Sequence, residues 1–187
     1  MTQDYTSTPD NLPVPQDDGA ADHLIGMQLP SVTLSSTLGG QVDVSALSGY
    51  VLVYCYPMTG RPGVPLPEGW DEIPGARGCT PQTTAYRDHH TELDELGVQV
   101  FGLSSQTTDY QLEMAQRLHL PFAVLSDADL LFANALRLPL FETAGMRLLK
   151  RLTLIAKDGT VVAVKYPIFP SNSDAPWALQ WLRHQKT

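Results

Sequence analysis

Apolar residues along the chain fall into short runs whose period changes, and the changes mark the elements. The longest continuous run, Val51-Leu52-Val53-Tyr54-Cys55-Tyr56, predicts a central strand over 50–56 buried on both faces. Ahead of it, Leu29 to Ser36 alternates weakly, Gly39-Gly40 marks a turn, and Gln41-Val42-Asp43-Val44 resumes the extended pattern. That sequence predicts an N-terminal β-hairpin, followed by a brief turn at Ser45–Ser48. Beyond the central strand, Gln82 to Leu96 reads as a helix with Pro81 in its first turn and Gly97 closing it. Val98 to Ser104 is the next strand, and Thr107 or Thr108 caps a helix through Leu118 with Leu112, Ala115 and Leu118 on one face. Phe122 to Leu125 predicts a short strand and Asp127 opens a helix to about Leu136. Arg151–Ala156 and Val161–Tyr166 flank Lys157-Asp158-Gly159-Thr160, a strong hairpin turn signal. Ser173 or Asp174 caps a last helix carrying Trp177, Leu179, Trp181 and Leu182. The order βαβαβα, hairpin, helix predicts an α/β fold: a mixed central sheet flanked by helices on both faces.

Two stretches break the pattern. Met58 to Gly75 holds Pro62, Pro65, Pro67 and Pro74 with Gly60, Gly63, Gly69 and Gly75, so it is neither helix nor inner strand. A connection this long is either a functional loop or a surface insertion. Trp70 discriminates between them: packed over Cys79, it makes the loop part of a site. Residues 1–24 are rich in Asp, Pro, Thr and Gln and read as a flexible tail, free or folded back on a domain of residues 25–187. Neither an internal repeat nor a second domain is visible.

Composition narrows the function classes. Hydrophobic content of 43% and charged content of 17% are ordinary for a globular chain. No apolar run approaches the roughly 18 residues of a membrane span, and the first residues lack the pattern of a secretory signal. A cytoplasmic protein without a membrane partner is expected. The net charge of −8, without a clustered basic face, argues against nucleic acid. The histidines show no metal-ligand pairing, so no metal is expected. Two cysteines are too few for a disulfide scaffold.

Those cysteines differ in context. Cys55 lies inside the apolar strand between tyrosines and reads as core. Cys79, in Pro74-Gly75-Ala76-Arg77-Gly78-Cys79-Thr80-Pro81-Gln82, stands where a turn enters a helix. Unpaired amides and the positive dipole end stabilise an anion there, and the thiolate is the reactive form of cysteine. Arg77 adds a cation two positions away. Cys79 is therefore the candidate nucleophile.

A strand ending Tyr56-Pro57, then Gly78-Cys79-Thr80 opening a helix with Tyr86-Arg87-Asp88, resembles a peroxiredoxin of the Q (bacterioferritin-comigratory) type. Arg151-Leu152-Thr153-Leu154-Ile155 matches that family's arginine-headed strand, and Gly39 to Val44 with Leu47-Ser48-Gly49 fits its opening. The resemblance runs from about Ile25 onward. It implies a thioredoxin-like fold and thiol-dependent peroxidase activity on hydrogen peroxide or organic hydroperoxides, with no cofactor. It implies Cys79 as the nucleophile, Arg151 as the donor to the peroxide, and Pro57 and Gly78 on the substrate side. An external thiol reductant (thioredoxin, glutaredoxin or a small thiol) is expected, in a monomer or homodimer.

The departures are specific. The family's Pro-x-x-x-Thr/Ser-x-x-Cys finds Glu72 and Ala76 at its proline and hydroxyl positions. Either Pro57 and Thr59 supply those groups from the far side of the insertion, or the hydroxyl is absent. Gln82 stands where many relatives have glutamate and otherwise reads as a first-turn polar residue. Thr84 occupies the usual place of a resolving cysteine, which predicts a one-cysteine enzyme unless Cys55 resolves. That bond needs Cα atoms within about 7 Å. The alternatives are a redox sensor or interaction module on the same fold, and a thiol–disulfide oxidoreductase, which the lack of Cys-x-x-Cys disfavours.

Overall fold

A computed structural model describes residues 5–185. Residues 1–4 of the expected tail and 186–187 of the expected domain lie outside them. A seven-stranded sheet forms the centre, in the order β2-β1-β5-β4-β3-β8-β9. Its strands are β1 (Thr33–Ser36), β2 (Gln41–Asp43), β3 (Tyr50–Cys55), β4 (Val98–Ser104), β5 (Val124–Ser126), β8 (Leu152–Lys157) and β9 (Thr160–Lys165). β3, β4 and β5 run parallel, while β1–β2, β1–β5, β3–β8 and β8–β9 are antiparallel. The mixed sheet and the N-terminal hairpin are as expected from the hydrophobic pattern.

β3 alternates between two cores. Val51, Val53 and Cys55 face one, with Leu103, Leu125, Phe132 and Leu136; Leu52, Tyr54 and Tyr56 face the other, with Tyr86, Leu93, Met114 and Leu179. The second core is covered by α1 (Cys79–Asp88), α2 (His90–Glu95), α3 (Thr108–Arg117) and α5 (Asp174–His184), and the first by α4 (Leu131–Leu136). The single helix expected over 82–96 is two: at His89 the backbone leaves the helical conformation (ψ 6°) and the ring turns to Glu92 at 2.8 Å. α3 buries Gln111 and Met114, with the expected Leu118 just past its end, while Leu112 and Ala115 are only half-buried; the Gln111 amide donates to Ser104 Oγ and Leu125 O. Asp127 sits ahead of α4 and does not open it; its carboxylate accepts from the amides of Phe132 and Ala133.

Two findings add to the sequence reading. A hairpin unseen in the pattern, β6 (Leu140–Thr143) with β7 (Met146–Leu149), turns through Ala144 and Gly145, both at positive φ. Its Phe141, Met146 and Leu148 form a satellite core with Met58, Trp70, Ile73 and Ala76, so the proline-rich insertion is packed. Residues 5–24, read as a flexible tail either free or folded back, lie on the domain. Ala21 and Leu24 belong to the first core, and Asp18 accepts from Lys150 and from the Tyr166 hydroxyl, each at 2.8 Å. Those two partners lower the Asp18 carboxyl to about 2. Three apolar or aromatic anchors, Tyr5, Ala21 and Leu24, outweigh the polar composition around them.

Register fixes the end of the sheet that matters. Cys55, the last residue of β3, is paired with Leu152, the first of β8. Arg151 therefore stands just past the C-terminal edge of β3, where α1 begins.

Leu24 is fully buried, so Leu24→Ala should cost about 2–5 kcal/mol of stability in urea unfolding; a free tail would give no change.

Candidate functional site

Gly78 precedes α1 with φ 112°, a left-handed conformation that disfavours side chains. A methyl group there would also meet Ser171 Oγ at 2.5 Å, so the entry into the helix demands glycine twice over. Cys79 is the first helical residue, and the first intrahelical bond runs from Gln82 N to Gly78 O. The amides of Cys79 and Thr80 thus precede the helical ladder and Pro81 has none. Tyr86, one face further along α1, stacks on Tyr54 at 4.6 Å and clamps the helix to the sheet.

Arg151, separated from Cys79 by 72 positions, places Nη2 3.2 Å from the sulfur. Both residues are 3% exposed. The same Nη2 is 3.0–3.3 Å from the carbonyls of Gly75, Ala76 and Arg77, which ties the chain before Cys79 to the guanidinium. Nη1 donates to Gln82 Oε1. Gln82 Nε2 donates in turn to Asp174 Oδ2 at 2.8 Å, and Thr153 Oγ1 donates to the same oxygen at 2.6 Å. The sulfur thus ends a buried chain of contacts: Cys79, Arg151, Gln82, Asp174, Thr153. Burial raises the Asp174 carboxyl above its ordinary 3.8 against the opposing hydrogen bonds.

Arg77, the cation nearest in sequence, turns to Asp71 at 3.1 Å and lies over the Tyr5 ring at 5.4 Å. A small cavity beside the sulfur is lined by Tyr5, Met58, Gly60, Leu66, Trp70, Arg77, Gly78, Cys79 and Thr80. Trp70 on that wall makes the insertion part of the site. Thr59 is buried between two lining residues but does not line the cavity; its amide goes to Gln106, its carbonyl to Tyr110, and its Oγ1 has no hydrogen-bond partner among the described residues. Pro57 is buried in the bend after β3 and is likewise absent from the wall. Cys55 points into the opposite core, where burial pushes its thiol up.

The redoxin family model matches residues 24–179. The chain belongs to the redoxin family. Among relatives, this redoxin is 33% identical over 103 residues to the chloroplastic peroxiredoxin Q of Sedum lineare, covering 54% of this chain and 47% of that protein. It is 30% identical over 106 residues to the putative peroxiredoxin bcp of Coxiella burnetii, covering 56% and 60%. The chain thus spans about half the length of the relatives it matches. Peroxidoxin BcpB from Mycobacterium tuberculosis superposes with a TM-score of 0.70 at 22% identity, covering 87% and 98% of the two chains. Xanthomonas campestris peroxiredoxin Q gives 0.66 at 18%, covering 94% and 99%. These neighbours share the fold, so the expected thioredoxin-like architecture and the likeness to the Q and bacterioferritin-comigratory type both stand.

Sequence reasoning missed three members of this site. Gln82 read as a first-turn residue, Asp174 as a helix cap, and Tyr5 as tail. A buried glutamine in place of glutamate was the one available signal, since a neutral amide beside a buried arginine calls for an acceptor further on.

Asp174→Ala would leave the Gln82 and Thr153 donors unpaired and should cost about 2–4 kcal/mol, whereas Asp174→Asn keeps an acceptor. The raised Asp174 carboxyl contributes stability that is complete below about pH 3.8 and lost as pH rises through its folded value. Urea titrations should therefore show the stability of Asp174→Asn gaining on the wild type as pH is raised from about 3.8 to neutrality; parallel curves would contradict the buried ionisation.

Proposed function

We propose that this redoxin is a thiol-dependent peroxidase of the one-cysteine type, reducing hydrogen peroxide or organic hydroperoxides at Cys79. The observation that carries the reading is the guanidinium of Arg151 held 3.2 Å from a cysteine sulfur at the start of α1. The Cys79 thiolate attacks the terminal oxygen of the hydroperoxide: an S–O bond forms, the O–O bond breaks, and the departing alkoxide or hydroxide takes a proton from solvent to leave as an alcohol or water. Charge shifts onto both peroxide oxygens during the step, and preorganised donors aimed at them lower the barrier. Arg151 is such a donor, with five N–H groups in a rigid fork and a fixed charge. The amides at the head of α1 complete the set. Thr59 is the proposed hydroxyl partner, supported by its unpaired Oγ1, and Gly78, on the cavity wall, shapes the approach.

Cys79 ends this step as a sulfenic acid. An external thiol then attacks that sulfur, water leaves, and a second thiol frees Cys79 from the mixed disulfide, so that one disulfide and one water form besides the alcohol or water of the first step. Two facts support an external reductant. Thr84 Oγ1, at the position of the usual resolving cysteine, donates to backbone carbonyls within its own helix. Cys55 and Cys79 belong to cores on opposite faces of the sheet.

Peroxide consumption with dithiothreitol should disappear in Cys79→Ser and persist in Cys55→Ser. Intact mass after one equivalent of peroxide should show one or two added oxygen atoms on Cys79. Activity retained by Cys79→Ser would refute the nucleophile, a Cys55–Cys79 disulfide would refute the one-cysteine type, and one stoichiometric oxidation without turnover would favour a redox sensor.

A further inference from the structure

The cavity at Cys79 is about 10 Å³, room for a single water molecule by such a measure. A hydroperoxide, with two oxygens and its substituent, is larger than that. Of the residues that line it, Tyr5 is the one contributed from outside the chain between Met58 and Thr80. Its ring packs flat enough on Gly60 that a methyl group there would sit 2.6 Å from Tyr5 Cε1. Its hydroxyl donates to Val64 O at 2.7 Å, and the Arg77 guanidinium lies over its face at 5.4 Å. Tyr5 is 7% exposed although it stands near the chain's beginning and no regular element holds it.

The chain that follows stays on the same face. Thr8 approaches Gly78, Pro15 approaches Gly75, and Asp18 ends the run on Lys150 and Tyr166. These contacts fall on the loop before Cys79, on the insertion, on Lys150 beside Arg151, and on Tyr166, which lines a cavity together with Arg151. No strand pairing or helix fixes residues 5–18, so their attachment is the sum of a few separate contacts, and such segments open at low free energy.

We propose that residues 5–18 form a strap that closes over Cys79, that Tyr5 is its gate, and that the strap must lift before a hydroperoxide reaches the sulfur. Tyr5 is then a specificity-determining residue, set against hydroperoxides with bulky organic substituents more than against hydrogen peroxide. Asp18 is the far anchor. The specificity part rests on the peroxidase reading; the strap itself does not.

The test reads the thiol without peroxide chemistry. Iodoacetamide labelling of the reduced full-length protein, followed by mass spectrometry of the Cys79 peptide, compares wild type with Tyr5→Ala and Asp18→Ala. Where labelling tracks the open population, both variants should label about tenfold faster than wild type. Tyr5→Ala should also raise turnover of cumene hydroperoxide several-fold more than that of hydrogen peroxide. Labelling rates equal to or below wild type in both variants would overturn the strap. So would faster labelling in Tyr5→Ala alone, which reduces the effect to a hole beside the sulfur. If both variants label faster while no form of the protein consumes either peroxide, the strap stands and the peroxidase reading falls.

Discussion

The structure is arranged around one buried guanidinium. Burying a cation is expensive unless it is paired and hydrogen-bonded, and Arg151, at 3% exposure, has acceptors at both Nη atoms, while its Nε has none among the described residues. Its acceptors are the Gln82 amide, three successive carbonyls at 75–77, and the sulfur of Cys79. Satisfying the charge therefore shapes the loop that delivers Cys79 to the head of α1. The pairing of β8 with β3 decides where the arginine stands, and the stacking of Tyr86 on Tyr54 decides where the helix stands. Site geometry and sheet register are thus one constraint met from two sides.

Behind the guanidinium, the contacts continue to Gln82, Asp174 and Thr153. A neutral amide in contact with the arginine passes the contact on to the carboxyl of Asp174, on α5. The two cysteines illustrate a separation of duties across the sheet. Alternation along β3 sends Cys55 into the core on one face, where burial holds its thiol protonated, while Cys79 sits at a helix mouth on the other. The strand's period of two keeps Cys55 on the face away from Cys79 and Arg151.

Much of this was legible from the chain. Val98–Ser104 reads as a strand from its residues alone, and Gly78-Cys79-Thr80-Pro81 announces a helix start because glycine, proline and dipole chemistry are local. Arg151 needed the resemblance, since nothing local marks a strand-leading arginine as buried. What escaped depends on partners far away in sequence. The 140–149 hairpin carries only Ala144-Gly145 as a turn signal, and its apolar face is explained by Trp70 and Met58. Tyr5, Ala21 and Leu24 sit in a polar, proline-rich stretch whose average composition hides these three anchors. The Gln82–Asp174 bond spans 92 positions, beyond the reach of any periodicity.

The contact between guanidinium and sulfur is tested most directly by single-turnover, stopped-flow oxidation of reduced Arg151→Lys with hydrogen peroxide. A lysine keeps the charge but not the fork that reaches the sulfur, the loop carbonyls and Gln82 together. Removing one preorganised donor of this kind should slow oxidation of Cys79 by about a hundredfold to a thousandfold. A rate equal to that of the wild type, in a variant that remains folded, would contradict the account.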